Sequence, residues 1–179
     1  MIGIGIDAST SIIGYSVFQD DKLLYCDKLE PIDGNWRERV QDFIPQIQNI
    51  IDKYKVDKII MEDVPLMSRQ SKILVQLGVC QGALLTIAQL NNIEIEFVGV
   101  GTWRKNIGIS TGERDRNSMK IKSIEKANEL FGLNLPIEYT RNGSYKPCGS
   151  DDIADSILIY ASTLDKYKIK PKSFGKGAK

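Results

Sequence analysis

Near its start the chain reads Ile2-Gly3-Ile4-Gly5-Ile6-Asp7-Ala8-Ser9, an apolar run that ends in an acidic residue and a turn of small residues. The unbroken apolar character predicts a buried β-strand. In an open α/β sheet, ligands bind just beyond the carboxyl ends of the strands. Asp7 is therefore a candidate functional residue; the alternative is that it only caps the following turn.

Two further acidic positions have a similar setting. The short apolar run 58–61 ends at Glu62, and Asp152 and Asp155 stand at the head of a late, apolar, helix-like segment. Residues three apart share one face of a helix, which groups this pair. A glutamate at a strand end is often only a solvated edge residue. Together, however, the three acidic positions predict a metal-dependent phosphodiesterase site.

The ligand chemistry of such a site indicates the ion. Carboxylates held close together cannot all stay ionised unless some pKa values rise or a cation binds. Oxygen-only ligation favours Mg²⁺, with Mn²⁺ as a substitute, over zinc or copper. Two ions about 4 Å apart would activate a water and stabilise the leaving 3′ oxygen in an in-line displacement.

The composition limits the chemistry further. The 179 residues include no histidine, which excludes Ser-His-Asp and Cys-His catalysis and any histidine-ligated metal. Cys26, Cys80 and Cys148 form no CxxC pair, so we expect reduced thiols and a cytoplasmic location. We recognise no signal peptide and no stretch of roughly 20 apolar residues, so no membrane partner is expected.

The order of the predicted elements indicates the fold class. Strands are predicted at 2–6, 14–18, 23–29, 58–61 and 93–98. Helices are predicted at 36–54, 71–90, 117–131 and 151–167, with loops at 106–116 and 132–149. The pattern is α/β: a mixed five-stranded sheet, with three antiparallel strands plus parallel strands, flanked by helices. Residues 1–165 are predicted to form one domain and 166–179 a basic, mobile tail.

Three details of the helices are also predicted. Asn35 is expected to cap the first helix, and Ser150 or Asp151 the last. The helix over 71–90 has an apolar face formed by Ile73, Leu77, Cys80, Leu84 and Ile87. This face packs on the sheet of its own chain or in part forms a dimer seam, and Gly78 and Gly82 would let another helix approach closely.

Three segments resemble the acidic motifs of the RuvC family of Holliday junction resolvases: Ile4-Gly5-Ile6-Asp7-Ala8-Ser9, Ile60-Met61-Glu62-Asp63-Val64 and Asp152-Ile153-Ala154-Asp155-Ser156. Their order and spacing agree with that family to about residue 165. The chain is most similar to the divergent branch in Gram-positive bacteria and their phages, an impression to which Thr102-Trp103-Arg104-Lys105 contributes. The resemblance implies a ribonuclease H-like fold, a homodimer, and Mg²⁺-dependent resolution of four-way DNA junctions by paired symmetric nicks.

The resemblance also implies roles for single residues. Asp7, Glu62, Asp152 and Asp155 would be the catalytic metal ligands, and the helix over 71–90 would contribute to the dimer interface. Better-known members carry a phenylalanine shortly after the second acid, whereas this chain has Val64-Pro65-Leu66-Met67. Leu66 and Met67 are therefore the candidate apolar wedge at the junction centre. The chain also lacks the histidine that some members place near the last acid, and its segment 108–122 is longer and more polar.

Basic residues between the second and third acidic motifs predict contact with DNA phosphates. Lys120 or Lys122 is also a candidate for stabilising negative charge in the transition state, although a solvated helix face is the alternative for any single lysine. The expected DNA-binding residues are Leu66, Met67, Arg69, Lys72, Arg104, Lys105, Arg114, Arg116, Lys120 and Lys122.

Three other functions stay open at this point. One is an actin-like or sugar-kinase ATPase, which shares the opening turn but needs a longer chain. The second is a junction-binding protein without catalysis, against which the complete acidic set argues. The third is a nuclease that also cuts forks and flaps, which the missing aromatic wedge favours. The sequence identifies no partner helicase.

Overall fold

A computed structural model describes residues 1–64, 71–109 and 115–169. Its central sheet consists of β1 (Ile2–Ala8), β2 (Ile13–Gln19), β3 (Lys22–Leu29), β4 (Lys58–Glu62) and β5 (Glu94–Val98). The strand order is β3-β2-β1-β4-β5. The β1–β2 and β2–β3 pairs are antiparallel, and the β1–β4 and β4–β5 pairs are parallel. The predicted mixed five-stranded sheet is thus confirmed.

In the described ranges, five helices cover the two faces of this sheet. Helices α1 (Trp36–Tyr54) and α2 (Ser71–Leu90) enclose one hydrophobic core, and α3 (Val100–Ile107), α4 (Arg116–Phe131) and α5 (Ser150–Ala161) enclose the other. Successive strand residues point to opposite faces. Ile4 and Ile59 therefore belong to the first core, whereas Ile60 belongs to the second.

The glycines of β1 and β2 allow α5 to lie against the sheet. A Cβ atom at Gly5 would overlap the main-chain carbonyl oxygen of Ser156, and one at Gly14 would overlap that of Asp152. Backbone atoms cannot move aside as a flexible side chain can. This close approach carries the acidic first turn of α5 to the end of β1, because Gly14 pairs with Asp7 in the sheet.

One predicted helix cap is confirmed and the other is wrong. The side chain of Asn35 accepts hydrogen bonds from the Arg37 and Glu38 N–H groups at the start of α1. At α5 the N-cap is Gly149, with no side-chain capping bond, and both Ser150 and Asp151 lie inside the helix. Asp151 has its carboxylate turned into the protein instead, at 2% exposure.

Two predicted loops contain regular structure. Helix α3 runs to Ile107, inside the predicted loop 106–116, and the buried side chains of Trp103 and Ile107 hold it on the sheet. The predicted loop 132–149 contains a small hairpin of β6 (Glu138–Tyr139) and β7 (Tyr145–Lys146). Helix α5 ends at Ala161, before the predicted residue 167.

The first residues of the predicted tail pack on the domain. Lys166 forms an ion pair with Asp21, and the Tyr167 ring contacts Phe131 at 4.9 Å between ring centres. The Ile169 N–H donates to the main-chain oxygen of Asn106. The packed part of the chain therefore extends beyond 165 to at least 169, and residues 170–179 of the predicted tail lie outside the described residues.

Helix α2 is more apolar than its buried area explains. By length and composition alone it is able to cross a membrane, which the sequence did not lead us to expect, and only 22% of its most apolar window is buried. The core helix of a soluble protein passes the same test. Leu84 and Ile87 pack in the first core, as predicted. An outer face remains exposed, defined here by Val75, Gly78, Val79 and Gly82.

Candidate active site

The structure brings the acidic residues together in one pocket of about 510 Å³. Its lining includes Asp7 from β1, Glu62 from β4, and Asp152 and Asp155 from α5. The parallel pairing of β1 with β4 places Ile6 beside Met61, so Asp7 and Glu62 follow as neighbours at the same sheet edge. The two acids of α5 complete the set from above the sheet.

Two polar side chains hold Glu62 in place, and neither role was predicted from the sequence. The indole Nε1–H of Trp103 donates to Glu62 Oε2 at 2.7 Å. The amide of Gln81, on α2, donates to the main-chain oxygen of Glu62 at 3.1 Å. Trp103 packs in the core with no exposed surface. A buried tryptophan needs an acceptor for its N–H, which is the signal that would have identified this contact.

Burial and mutual repulsion raise the pKa values of these acids. Burial, followed by the charges of Asp155, Glu62 and Asp152, holds the pKa of Asp7 well above its usual range. Burial raises the pKa of Asp155 to about 7 and that of Asp152 to about 6. It also raises the pKa of Glu62, against the Trp103 hydrogen bond and the Arg104 charge. Without a cation, these carboxylates therefore resist full ionisation near neutral pH, and a bound cation would favour their charged forms.

The donor set fits a hard divalent cation. Asp155 Oδ1 is buried and, within the described part of the chain, has no hydrogen bond of normal geometry, although the nearby Ser123 hydroxyl acts to lower the pKa of Asp155. A buried carboxylate oxygen without a partner is costly, and a cation would satisfy it. In the three described ranges, no three acidic or cysteine side chains already stand close enough to hold an ion.

A buried ion pair lies beside these acids. Lys120 on α4 pairs with Asp151, and the Tyr145 hydroxyl donates to the other oxygen of Asp151 at 2.7 Å. Burial would raise the pKa of Asp151, but the hydrogen bonds from Lys120 and Tyr145 hold it below its usual value. The sequence did not single out Tyr145, since a tyrosine in a loop carries no signal of its partner.

The predicted basic residues are divided between the pocket and other surfaces. Arg104, Arg116 and Lys120 line the pocket, whereas Lys72, Lys105 and Lys122 are not among its lining residues. Lys72 and Lys105 are exposed, and Lys122 is half-buried. The other predicted DNA contacts lie outside the described residues, namely Leu66, Met67, Arg69 and Arg114.

One wall of the pocket is apolar, which the sequence did not predict. The residues that form it are Val64, Ile73, Leu77 and Met119. Ile73 and Leu77 belong to the helix face that was predicted to pack on the sheet or in a dimer. At the start of α2 this face lines the acidic pocket instead.

Comparison with known proteins places this geometry in context. The family described as "Lactococcus phage M3 protein" matches residues 4–162. The chain is 24% identical over 172 residues to the crossover junction endodeoxyribonuclease RuvC of Dictyoglomus thermophilum, covering 93% of this chain and 98% of the relative. It is 30% identical over 179 residues to the protein of that name from Fusobacterium nucleatum subsp. nucleatum, covering 97% and 84%.

The fold agrees with these sequence matches. T. thermophilus RuvC, solved in complex with a Holliday junction substrate, superposes with a TM-score of 0.68 at 16% identity. The match covers 90% of this chain and 92% of the other. The ribonuclease H-like arrangement that the sequence motifs implied is therefore the observed one.

Proposed function

Because the chain belongs to the phage family above and to the RuvC family of crossover junction endodeoxyribonucleases, we propose that it is a structure-selective endonuclease that resolves four-way DNA junctions by paired symmetric nicks. The observation that carries this proposal is the pocket in which strands β1 and β4 and helix α5 bring four carboxylates together. Basic side chains at the same pocket supply the charge that a phosphate backbone requires.

Asp7, Glu62, Asp152 and Asp155 are proposed to hold Mg²⁺ or Mn²⁺, as two ions per site. When bound, the metal would supply Lewis-acid stabilisation of phosphate charge and a water of lowered pKa. The protein orients the ligands: Trp103 fixes the carboxylate of Glu62, and the close packing of α5 fixes Asp152 and Asp155. The apolar wall limits the water around the reacting phosphate.

Arg104, Arg116 and Lys120 are the proposed phosphate contacts nearest the reaction, since all three line the pocket. Lys72, Lys105 and Lys122 are proposed to contact more distant phosphates. Leu66 and Met67 keep their proposed role as a wedge at the junction centre, and Arg69 and Arg114 as phosphate contacts. The proposals for these last four residues rest on sequence.

A homodimer is proposed because a four-way junction has two-fold symmetry and two strands to be nicked. The outer face of α2 supports this: Val75 and Val79 are 58% and 42% exposed, and among the described residues no atom beyond the adjoining helix backbone lies within 4 Å of a Cβ added at Gly78 or Gly82. Of the face that was predicted to pack on the sheet or in part to form a dimer seam, Cys80, Leu84 and Ile87 are buried within the chain. The face proposed for the partner is thus the opposite side of the same helix.

A broader nuclease for forks and flaps is the second candidate, because the stretch Val64-Pro65-Leu66-Met67 has no aromatic ring for the junction centre. The domain is proposed to span the packed chain from residue 1, with a basic tail that adds non-specific DNA affinity. We also propose a cytoplasmic location, supported by three free cysteines.

Cleavage of a labelled four-way junction tests the function, beside a matched duplex and fork, in Mg²⁺ and in EDTA. We expect Mg²⁺-dependent nicking of the junction that is lost in Asp7→Asn while junction binding remains. Equal cutting of forks would favour the broader nuclease. Tight junction binding without cleavage in any divalent ion would contradict an enzymatic function.

A further inference from the structure

Both carboxylate oxygens of Asp151 have partners. Oδ1 accepts a hydrogen bond from the hydroxyl of Tyr145, and Oδ2 forms an ion pair with the ammonium of Lys120. At 2% exposure the carboxylate is removed from water, so its charge needs these partners. Asp151 lines the same pocket as the proposed metal ligands, but both of its carboxylate oxygens are occupied by Tyr145 and Lys120.

Their positions in the fold distinguish Lys120 from Lys122. Lys120 lines the acidic pocket, and its positive charge partly offsets the rise in the pKa of Asp152 that burial causes. Lys122 is two positions further along α4, and residues two apart do not face the same way on a helix. An ammonium has three N–H donors, so the bond to Asp151 leaves two for a phosphate in the pocket.

Tyr145 anchors this arrangement from the small hairpin. The ring is 6% exposed, and Lys120 Nζ lies 5.9 Å from its centre. The opposite residue in the hairpin is Tyr139, which is 55% exposed. The two tyrosines therefore share a hairpin and a register position, but only Tyr145 reaches Asp151.

We propose that Tyr145 and Asp151 are positioning residues that hold the Lys120 ammonium at the acidic pocket, ready to contact the scissile phosphate. This inference rests on the proposed nuclease function and assigns the charge-stabilising role to Lys120. Lys120 is the residue that touches substrate; Tyr145 and Asp151 act through it.

The physical advantage is preorganisation. A free lysine side chain samples many rotamers, and fixing it during the reaction costs conformational entropy. A charge already fixed where negative charge develops costs no such reorganisation in the transition state. A misplacement of about 1 Å in such a group can cost on the order of 10²-fold in rate.

The test compares Tyr145→Phe with Tyr139→Phe, since each removes one hydroxyl from the same hairpin. The single-turnover rate on a four-way junction is measured at saturating enzyme, and junction affinity is measured separately without divalent ion. We expect Tyr145→Phe to lower the rate roughly tenfold with affinity unchanged, because only positioning is lost. Tyr139→Phe should match the unmodified protein in single-turnover rate and in junction affinity.

A double variant shows whether Tyr145 acts through Lys120. Lys120→Met should lower the rate on the order of 10²-fold, and adding Tyr145→Phe to it should cause no further loss. Asp151→Asn should resemble Tyr145→Phe or be more severe. Thermal unfolding of each variant distinguishes a folding defect from a loss of catalytic rate in a folded protein. If Asp151→Asn fails to fold, the two phenylalanine variants still test the proposal.

Several results would overturn the positioning role. They are equal rates for Tyr145→Phe and Tyr139→Phe, loss of affinity without loss of rate, or a further tenfold loss when Tyr145→Phe is added to Lys120→Met. Each of these presupposes that the unmodified protein cuts the junction. If it cuts no junction under any divalent ion, the proposed function fails and the positioning role fails with it.

Discussion

At the scale of single residues, the orientation of Glu62 depends on one buried N–H group, that of Trp103. Trp103→Phe removes this donor and keeps most of the ring. We expect the Mg²⁺ concentration for half-maximal cleavage to rise by about 10- to 100-fold, as when an outer hydrogen bond to a metal ligand is lost.

Trp36→Phe is the matched control for this change, because Trp36 is only half-buried at the start of α1. It should leave the Mg²⁺ requirement unchanged. A Trp103→Phe variant that unfolds more readily but keeps the original Mg²⁺ requirement would show that the indole serves the core and not the ligand.

The raised pKa of Asp155 predicts how the stability of the protein depends on pH when EDTA removes divalent ions. Its pKa is about 7 in the folded protein against 3.8 for the ordinary side chain, so between these values the folded state holds a proton that the unfolded state has lost. The free energy of unfolding therefore falls as pH rises from about 4 to about 7. Asp155→Asn should raise the free energy of unfolding at pH 8 by roughly 1–3 kcal/mol, and this free energy should then depend less on pH.

Chemical denaturation at pH 5 and pH 8 provides the measurement. Asp52→Asn changes an exposed acid on α1 and should keep the wild-type pH dependence. Mg²⁺ should stabilise the unmodified protein more at pH 8 than at pH 5, since protons compete with the ion for the carboxylates. Stability that is equal at both pH values in EDTA would contradict the raised pKa of Asp155.

At the scale of elements, the contact between β1 and α5 forms the site. Gly5→Ala would drive a Cβ atom into the Ser156 carbonyl, and we expect a loss of about 1–3 kcal/mol or more together with loss of cleavage. Gly101→Ala on α3 is the control, because a Cβ there meets open space. It should stabilise the helix by about 0.5–1 kcal/mol. Equal stability of the two variants would contradict the close packing of α5.

The elements also show what the sequence was able to predict. Strands that end in Asp7 and Glu62 were predicted because apolar runs and the acids that end them are local patterns. Helix α3 was missed in part, because Gly99 and Gly101 indicate a turn and the burial of Trp103 is a tertiary effect. The contacts of Asp151 were missed for the same reason: Lys120 is 31 positions away in the chain.

At the scale of the whole molecule, the exposed outer face of α2 leads us to predict a homodimer. Val79→Asp places a charge in the proposed seam, and we expect it to give a monomer that no longer makes paired nicks. Leu24→Asp is the control, since Leu24 on β3 is also 42% exposed. Light scattering measures the mass of each variant. A single-chain mass for the unmodified protein at the concentrations used for cleavage would exclude the dimer.

The most direct measurement of the central claim maps the nicks on a four-way junction labelled in turn on each of its four strands, in Mg²⁺. If the four carboxylates act in a two-fold assembly, the nicks fall at symmetric positions on two opposite strands, and ligase reseals the products. Nicks scattered over all four strands, or present equally in EDTA, would contradict the account.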